Sequence, residues 1–467
     1  MKSPYKTLRL APLLASLVLA ACAPIPKLPT PAAALQGEQL GLAPQEQASL
    51  SSAWWQGYGD ARLNALVEKA LADAPSLALA RARIARASAG IEAAEAADKP
   101  ATGLGLDMQR QLYTETGLYP PPIAGSVRNT ATLQAGISYD WDFFGRHQAA
   151  LQAALGQRRA AQADAAAARL TLAAQVTRSY LALARVLAQR QLLAEQQALR
   201  AASLQLVRER AAAGLDTQLE LRGAEAPVAE LQRQGLALDE QAQALRHQLA
   251  ALTVQPAQAL AELRPALPTA QAWAQEPGID LLGRRPDLQA ARWRVEAATQ
   301  DVTVARSQFY PNVTLTAFAG FSAIGFDRLL ESRSLQAGFG PSLRLPIFDT
   351  GRLRAQLKGS AAEQDAAVAA YNAALLEAVR DASDQLNSLK SLQAQAQTQA
   401  TLVANAEQQL QLAEQRQQAG LGNRLPVLAA RQSLLAQQRQ ALDLRGLGLD
   451  AQVNLMRALG GGTTESN

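Results

Sequence analysis

The chain has 467 residues, of which 18% are charged and only 4% aromatic, with a formal net charge of +5. So few aromatics do not suit a conventional globular core of this length; the dominance of Ala, Leu, Gln, Arg and Glu suits long helices and coiled coils. One cysteine excludes an intramolecular disulfide.

The N terminus reads as a targeting leader, residues 1–21. Lys2, Lys6 and Arg9 precede an apolar run, Leu10 to Ala20, that is too short to span a bilayer. The run ends in Leu19-Ala20-Ala21-Cys22, which resembles a bacterial lipobox. That resemblance implies cleavage before Cys22, a diacylglycerol on its sulfur and an acyl chain on the new amino terminus. Without the leader 42 cations face 40 acids, a charge of +2, so a nucleic-acid partner has no electrostatic support. Outside the leader no apolar run approaches a transmembrane helix.

Residues 22–60, rich in Pro, Ala and Gln, read as a lipid-anchored tether. Two similar units follow, 61–252 and 281–460, joined by a linker over 253–280 and closed by a polar tail over 461–467. Pro75 and Pro100 recur as Pro286 and Pro311, displaced by 211; Gly145-Arg146 and Gly214-Leu215 recur as Gly351-Arg352 and Gly420-Leu421, displaced by 206. Self-similarity on this scale marks a duplicated structural unit. Each unit is expected to open with one helix, 61–98 and roughly 281–309, each closing before a proline.

Alternation then replaces helical periodicity, giving hairpins over about 101–143 and 312–347. Leu133, Ala135, Ile137, Tyr139 and Trp141 alternate with Gln134, Gly136, Ser138, Asp140 and Asp142. Leu335, Ala337, Phe339, Leu343, Leu345 and Ile347 alternate with Gln336, Gly338, Gly340, Ser342 and Arg344. Period two with one apolar and one polar face suits a strand with a different solvent on each side. All eight Phe lie in or beside these hairpins, in the manner of barrel aromatic girdles. A soluble sandwich would instead turn aromatics inward at mid-strand. Four strands cannot close a barrel, and open edges in lipid are prohibitive, so copies of the chain must join in a ring.

No proline occurs from 123 to 226 or from 347 to 425. A helix over 147–213 would be roughly 100 Å long and must pack along its length. Leu172, Val176, Leu183, Leu187 and Ala194 mark its expected seam. The rods end in matching turns, 214–217 (Gly214, Leu215) and 420–424 (Gly420, Leu421), with Asp216, Thr217 and Asn423 as N-cap candidates. These turns are expected at the far tips, about 100 Å from the barrel.

With lipobox, paired hairpins and tip turns in order, the chain resembles the TolC-like outer-membrane efflux factors, in their lipoprotein branch. Trp54-Trp55 with Leu63 and Leu66, Arg284-Arg285-Pro286-Asp287-Leu288, Phe309-Tyr310-Pro311 and Pro346-Ile347-Phe348-Asp349-Thr350-Gly351-Arg352 carry the resemblance further. It implies an α+β membrane protein, a homotrimer whose chains each give four strands to a twelve-stranded β-barrel, continued by a long α-helical coiled-coil barrel. It implies a passive duct for drugs or other toxic compounds, docked to a periplasmic adaptor and an inner-membrane pump of the RND type, its tunnel closed by the helix tips. Relatives often carry an acid on the second returning helix, where this chain has Pro426 and Ala429. Glu220 in the first repeat is therefore the gate candidate, with Arg210, Arg416 and Arg424 as partners.

Catalytic chemistry finds no foothold. His147 and His247 sit in helical context without metal spacing and read as surface residues. No phosphate loop, nucleophile elbow or zinc motif is present. The alternatives are a duct for secreted protein, or a lipid-anchored coiled-coil scaffold without a pore. The polar strand face disfavours the scaffold.

Overall fold

The computed structural model describes residues 25–40, 51–268, 284–346 and 348–462; the leader, Cys22 and Ile347 lie outside them. Helices α1 (Ala61–Asp73) and α2 (Pro75–Ala97) lead into strands β1 (Ala101–Leu112) and β2 (Val127–Trp141), then into helices α3 (Arg146–Ala212) and α4 (Gln218–Leu252). The order recurs as α5 (Pro286–Ser307), β3 (Asn312–Ile324), β4 (Leu335–Arg344), α6 (Thr350–Gln418) and α7 (Arg424–Ala458).

The helix expected over 61–98 is two helices. Ala74 is extended, with ψ 128°, because a following proline disfavours helical backbone, and Pro75 starts α2. Asp60 caps α1, its Oδ1 accepting from the N–H groups of Arg62 and Leu63 at 2.8 and 3.4 Å.

The chain divides into two units. The first holds residues through Ala34, 84–161 and 291–371, and with them the sheet. Its strands run β1-β2-β3-β4, every neighbour antiparallel, so the two hairpins join through β2 and β3. Beta4 stops at Arg344, short of the expected 347. Beside the strand bases, Val302, Ala305, Phe309, Leu353 and Leu357 form a small core on which Ile25 and Leu28 pack. The N–H of Ala32 donates to Asp365 Oδ1 at 2.9 Å. The tether is thus seated on α5 and α6 here.

His147 is buried, contrary to expectation: its Nδ1 lies 3.4 Å from Asp98 Oδ1 and its Nε2 lies 2.8 Å from Arg146 Nη2. The first turn of α3 carries it inward, toward the end of α2. His247 is exposed.

The second unit holds the other described residues, with the larger core. Trp54 and Trp55 lie in a 3-10 turn, Trp54–Tyr58, and pack with Leu63, Val67, Val176, Leu183, Leu249, Leu449 and Val453. The tether therefore ends before residue 60 as a free segment. Leu260 is buried and Leu263 and Leu267 pack on the same core, so the described part of the 253–280 linker is structural. Alpha3 is buried on most sides between Leu170 and Val186 rather than along a narrow seam, and Ala194 is exposed. Aromatic and aliphatic side chains from several elements surround it there, which a two-helix pattern does not anticipate. The Tyr180 hydroxyl donates to Asp60 Oδ2 at 2.6 Å, tying α3 to the cap of α1. Buried Arg285 donates to Asp287 Oδ2 at 2.7 Å and to the Ala458 carbonyl at 3.2 Å.

Candidate functional site: a two-faced sheet and paired helix reversals

Paired residues in an antiparallel ladder share a face, so the register assigns every strand residue to a side. One face carries Leu104–Ala135–Ala319–Ala337, Leu106–Leu133–Phe321–Leu335, Ile137–Ala317–Phe339 and Trp141–Val313–Leu343. The other carries Ser138–Thr316–Gly340, Gln134–Gly320–Gln336, Asp107–Thr132–Ser322 and Asp140–Thr314–Ser342. Polar side chains on that second face bond to one another: Thr314 Oγ1 donates to Asp140 Oδ1 at 2.5 Å, Gln336 Nε2 to Gln134 Oε1 at 3.3 Å, and Thr132 and Ser322 hydroxyls lie 3.2 Å apart.

The apolar face is uncovered. Leu104 is 75% exposed and Phe339 89%. A soluble sandwich would bury these side chains against a second layer, whereas here they have the geometry of a lipid-facing surface. Beta1 and β4 are paired on one side only, which leaves two open edges.

At the strand bases lies an open cleft of about 590 Å³ lined by Trp141, Phe144, Arg146, Tyr310, Arg344 and Arg352 among others. Phe144 stacks on Tyr310 with centroids 4.5 Å apart, and Trp141 on Phe143 at 5.7 Å. Amphipathic rings beside arginines suit the boundary between hydrocarbon and water. Asp142, expected on the polar strand face, lies past β2 and caps α3 instead. Its carboxylate accepts the N–H groups of Arg146, His147 and Gln148 at 2.6, 3.0 and 3.1 Å.

In the second unit, both helix reversals use the same stop. Gly214 and Gly420 have φ 72° and 73°, a left-handed backbone that costs glycine nothing. The N–H of Leu215 donates to the Arg210 carbonyl at 2.8 Å and that of Leu421 to the Arg416 carbonyl at 2.9 Å. With Gly214 to Ala211 and Gly420 to Gln417, both at 3.0 Å, each is a Schellman stop. Leu215 and Leu421 are left exposed.

The reversals differ beyond the stop. Thr217 caps α4 in a capping box with Glu220, whose carboxylate accepts the Thr217 N–H. Arg210 pairs with Asp216 through Nε and Nη2, both at 2.8 Å, and not with Glu220 as expected. Asp216 is thus a clasp and not a cap. Asn423 caps α7, accepting the Leu425 N–H at 3.1 Å. Among the described residues, Arg416 and Arg424 have no ion-pair partner in the chain.

The profile of the outer membrane efflux protein family matches residues 66–254 and again 279–461. The multidrug resistance outer membrane protein MdtP of Shigella flexneri is 32% identical over 460 residues, covering 95% of this chain and 94% of that one. MdtQ of Escherichia coli O157:H7 is 33% identical over 429 residues, 88% of each. This chain belongs to the outer membrane efflux protein family. Among solved structures, VceC of Vibrio cholerae superposes with TM-score 0.81 and 36% identity over 88% of this chain and 99% of that one. The outer-membrane channel OprN does so with TM-score 0.82 and 26% identity over 94% and 99%.

As a member of the outer membrane efflux protein family, the chain is an outer-membrane efflux channel and not an enzyme, with the TolC-like fold and its two repeats. The double profile match falls on the two halves that the recurring Pro and Gly-Arg positions marked out. Sequence reasoning missed the Asp142 cap, whose signal is an acid four residues before a helix-opening Arg146 in a Gly-containing turn. It also missed the buried setting of His147 and the Arg210–Asp216 clasp; for the latter an Arg and an Asp flanking a Schellman glycine were in plain view.

Proposed function

We propose that three copies join β1 edge to β4 edge in a twelve-stranded barrel whose polar face lines a water-filled duct through the outer membrane. The observation that carries the reading is the sheet itself: four strands, two open edges, one uncovered apolar face and one hydrogen-bonded polar face. An open edge in hydrocarbon costs several kcal/mol for each unsatisfied peptide group, so pairing between copies follows.

The duct passes small toxic compounds outward, and drugs are the class that the names of the relatives MdtP and MdtQ support. It works with a periplasmic adaptor and an inner-membrane pump of the RND type, which meet the Leu215 and Leu421 reversals. Cys22 carries the diacylglycerol and acyl chain. Support comes from Ile25 and Leu28, three and six residues after Cys22, which pack beside the strand bases. Detergent-purified protein run unheated on gels should migrate as a heat-labile trimer and conduct ions in planar bilayers. A strictly monomeric, non-conducting protein overturns the reading.

A further inference from the structure

One side chain on the polar face is out of keeping with its neighbours. Phe318 shares that face with Gly136 on β2 and Gly338 on β4, and Gly103 on β1 extends the row. The adjoining rows are Ser138–Thr316–Gly340 and Gln134–Gly320–Gln336, so the ring stands among small and polar residues. The other strand phenylalanines, Phe321 and Phe339, register on the apolar face beside Leu133, Leu335 and Ala317. Phe318 is the one aromatic on the polar side of the four strands.

The ring leans across β4. A Cβ built on Gly338 would lie 2.9 Å from both Cε1 and Cζ of Phe318. Packing an aromatic over a glycine recovers contact where the glycine has no side chain. Yet 37% of Phe318 stays exposed on a face otherwise made for water. Charge on this face is uneven. Two rows toward the outer loops, Asp107 has no ion pair among the described residues, whereas two rows toward the base Asp140 is held by Arg146 at 3.4 Å. An open ring face favours a flat cation, through offset stacking and the attraction of its π-face for positive charge; Asp107, about 13 Å away along the strand direction, adds only a distant field.

We propose that Phe318 is a transient contact site for planar aromatic cations passing through the barrel, one ring per copy at the same level. The inference rests on the barrel reading above. A single stacking contact is strong enough to enrich such a solute and weak enough to release it, as conduction requires.

Ethidium is the probe, with tetraethylammonium as a non-aromatic cation of the same charge. In single trimers in planar bilayers, ethidium should block the wild-type current, and Phe318→Ala should weaken that block about three- to tenfold. Phe318→Trp should keep it, and block by tetraethylammonium, which can make the cation–π contact but cannot stack, should be weakened by Phe318→Ala less than block by ethidium. Where Phe318→Ala fails to assemble, Phe318→Leu retains apolar bulk over Gly338 and should still lose ethidium block. Equal ethidium block in wild type and Phe318→Leu, or loss of it in Phe318→Trp, reduces Phe318 to a packing residue and overturns the proposal. Wild-type protein that forms no conducting trimer sinks the barrel reading instead, a result distinct from a conducting trimer indifferent to Phe318.

Discussion

Arg210 and Asp216 close the first helix reversal with two parallel hydrogen bonds of 2.8 Å, and the equivalent of Asp216 in the second repeat is Gly422. One turn is therefore pinned by an ion pair, and its counterpart has only its backbone stop and the Asn423 cap.

The Arg210 guanidinium holds the Asp216 carboxyl below its ordinary value of 3.8, chiefly by hydrogen bonding and then by charge. A depressed carboxyl contributes stability above its unfolded value and loses it as pH falls through the folded one. The first turn should keep constant amide protection through neutral and mildly acidic pH and loosen only below 3.8. Asp216→Asn should abolish that pH dependence and speed hydrogen exchange at residues 211–217 while leaving 417–423 unchanged. Equal exchange in variant and wild type would show the clasp to be inert.

Glu220 has a structural task in the capping box, so two substitutions are needed to isolate any gating task. Glu220→Gln keeps a hydrogen-bonding group at the third helical position and removes the charge; Glu220→Ala removes both and should destabilise the start of α4 by about 1 kcal/mol. If Glu220 lines the constriction, Glu220→Gln should lose sensitivity of the current to trivalent cations with the turn's exchange unaltered. An unchanged response in Glu220→Gln rejects the acidic gate.

Gly320 faces the polar side where β2 comes closest. A Cβ there would lie 2.1 Å from the Leu133 carbonyl oxygen, a backbone atom that cannot yield without breaking the ladder. Gly103, on the same face, has nothing within 4 Å. Gly320→Ala should lower the heat resistance of the assembled protein by about 1–3 kcal/mol, and Gly103→Ala should leave it unaltered within about 0.5 kcal/mol. Comparable melting of both variants would show that the clash relaxes freely.

Cys22→Ser should remove the added lipid mass from the mature protein by intact mass spectrometry. Because Ile25 and Leu28 pack on α5 and α6 independently of any lipid, the variant should keep the fold of this unit. Lipid mass persisting in Cys22→Ser would reject the site.

The sequence by itself determined the duplication, the strand alternation and the long proline-free helices. Each is written in local periodicity, which constrains a backbone whatever surrounds it: Ile137 and Ser138 must point to opposite sides of any strand that contains them. Gly214 and Gly420 were legible for the same reason, since a left-handed stop is a property of one residue and its hydrogen-bonded turn. Only the tertiary structure decided what depends on register and on residues distant in sequence. Phe318 stands beside Gly136 and over Gly338 because β2 and β4 pair with β3 in this register, and a shift along either strand would have given the ring other neighbours. Tyr180 meets Asp60 across 120 residues. Arg210 answers to Asp216 and not to Glu220 because the Schellman turn points the two side chains together. Periodicity fixes which side of an element a residue occupies; only packing fixes which partner waits there.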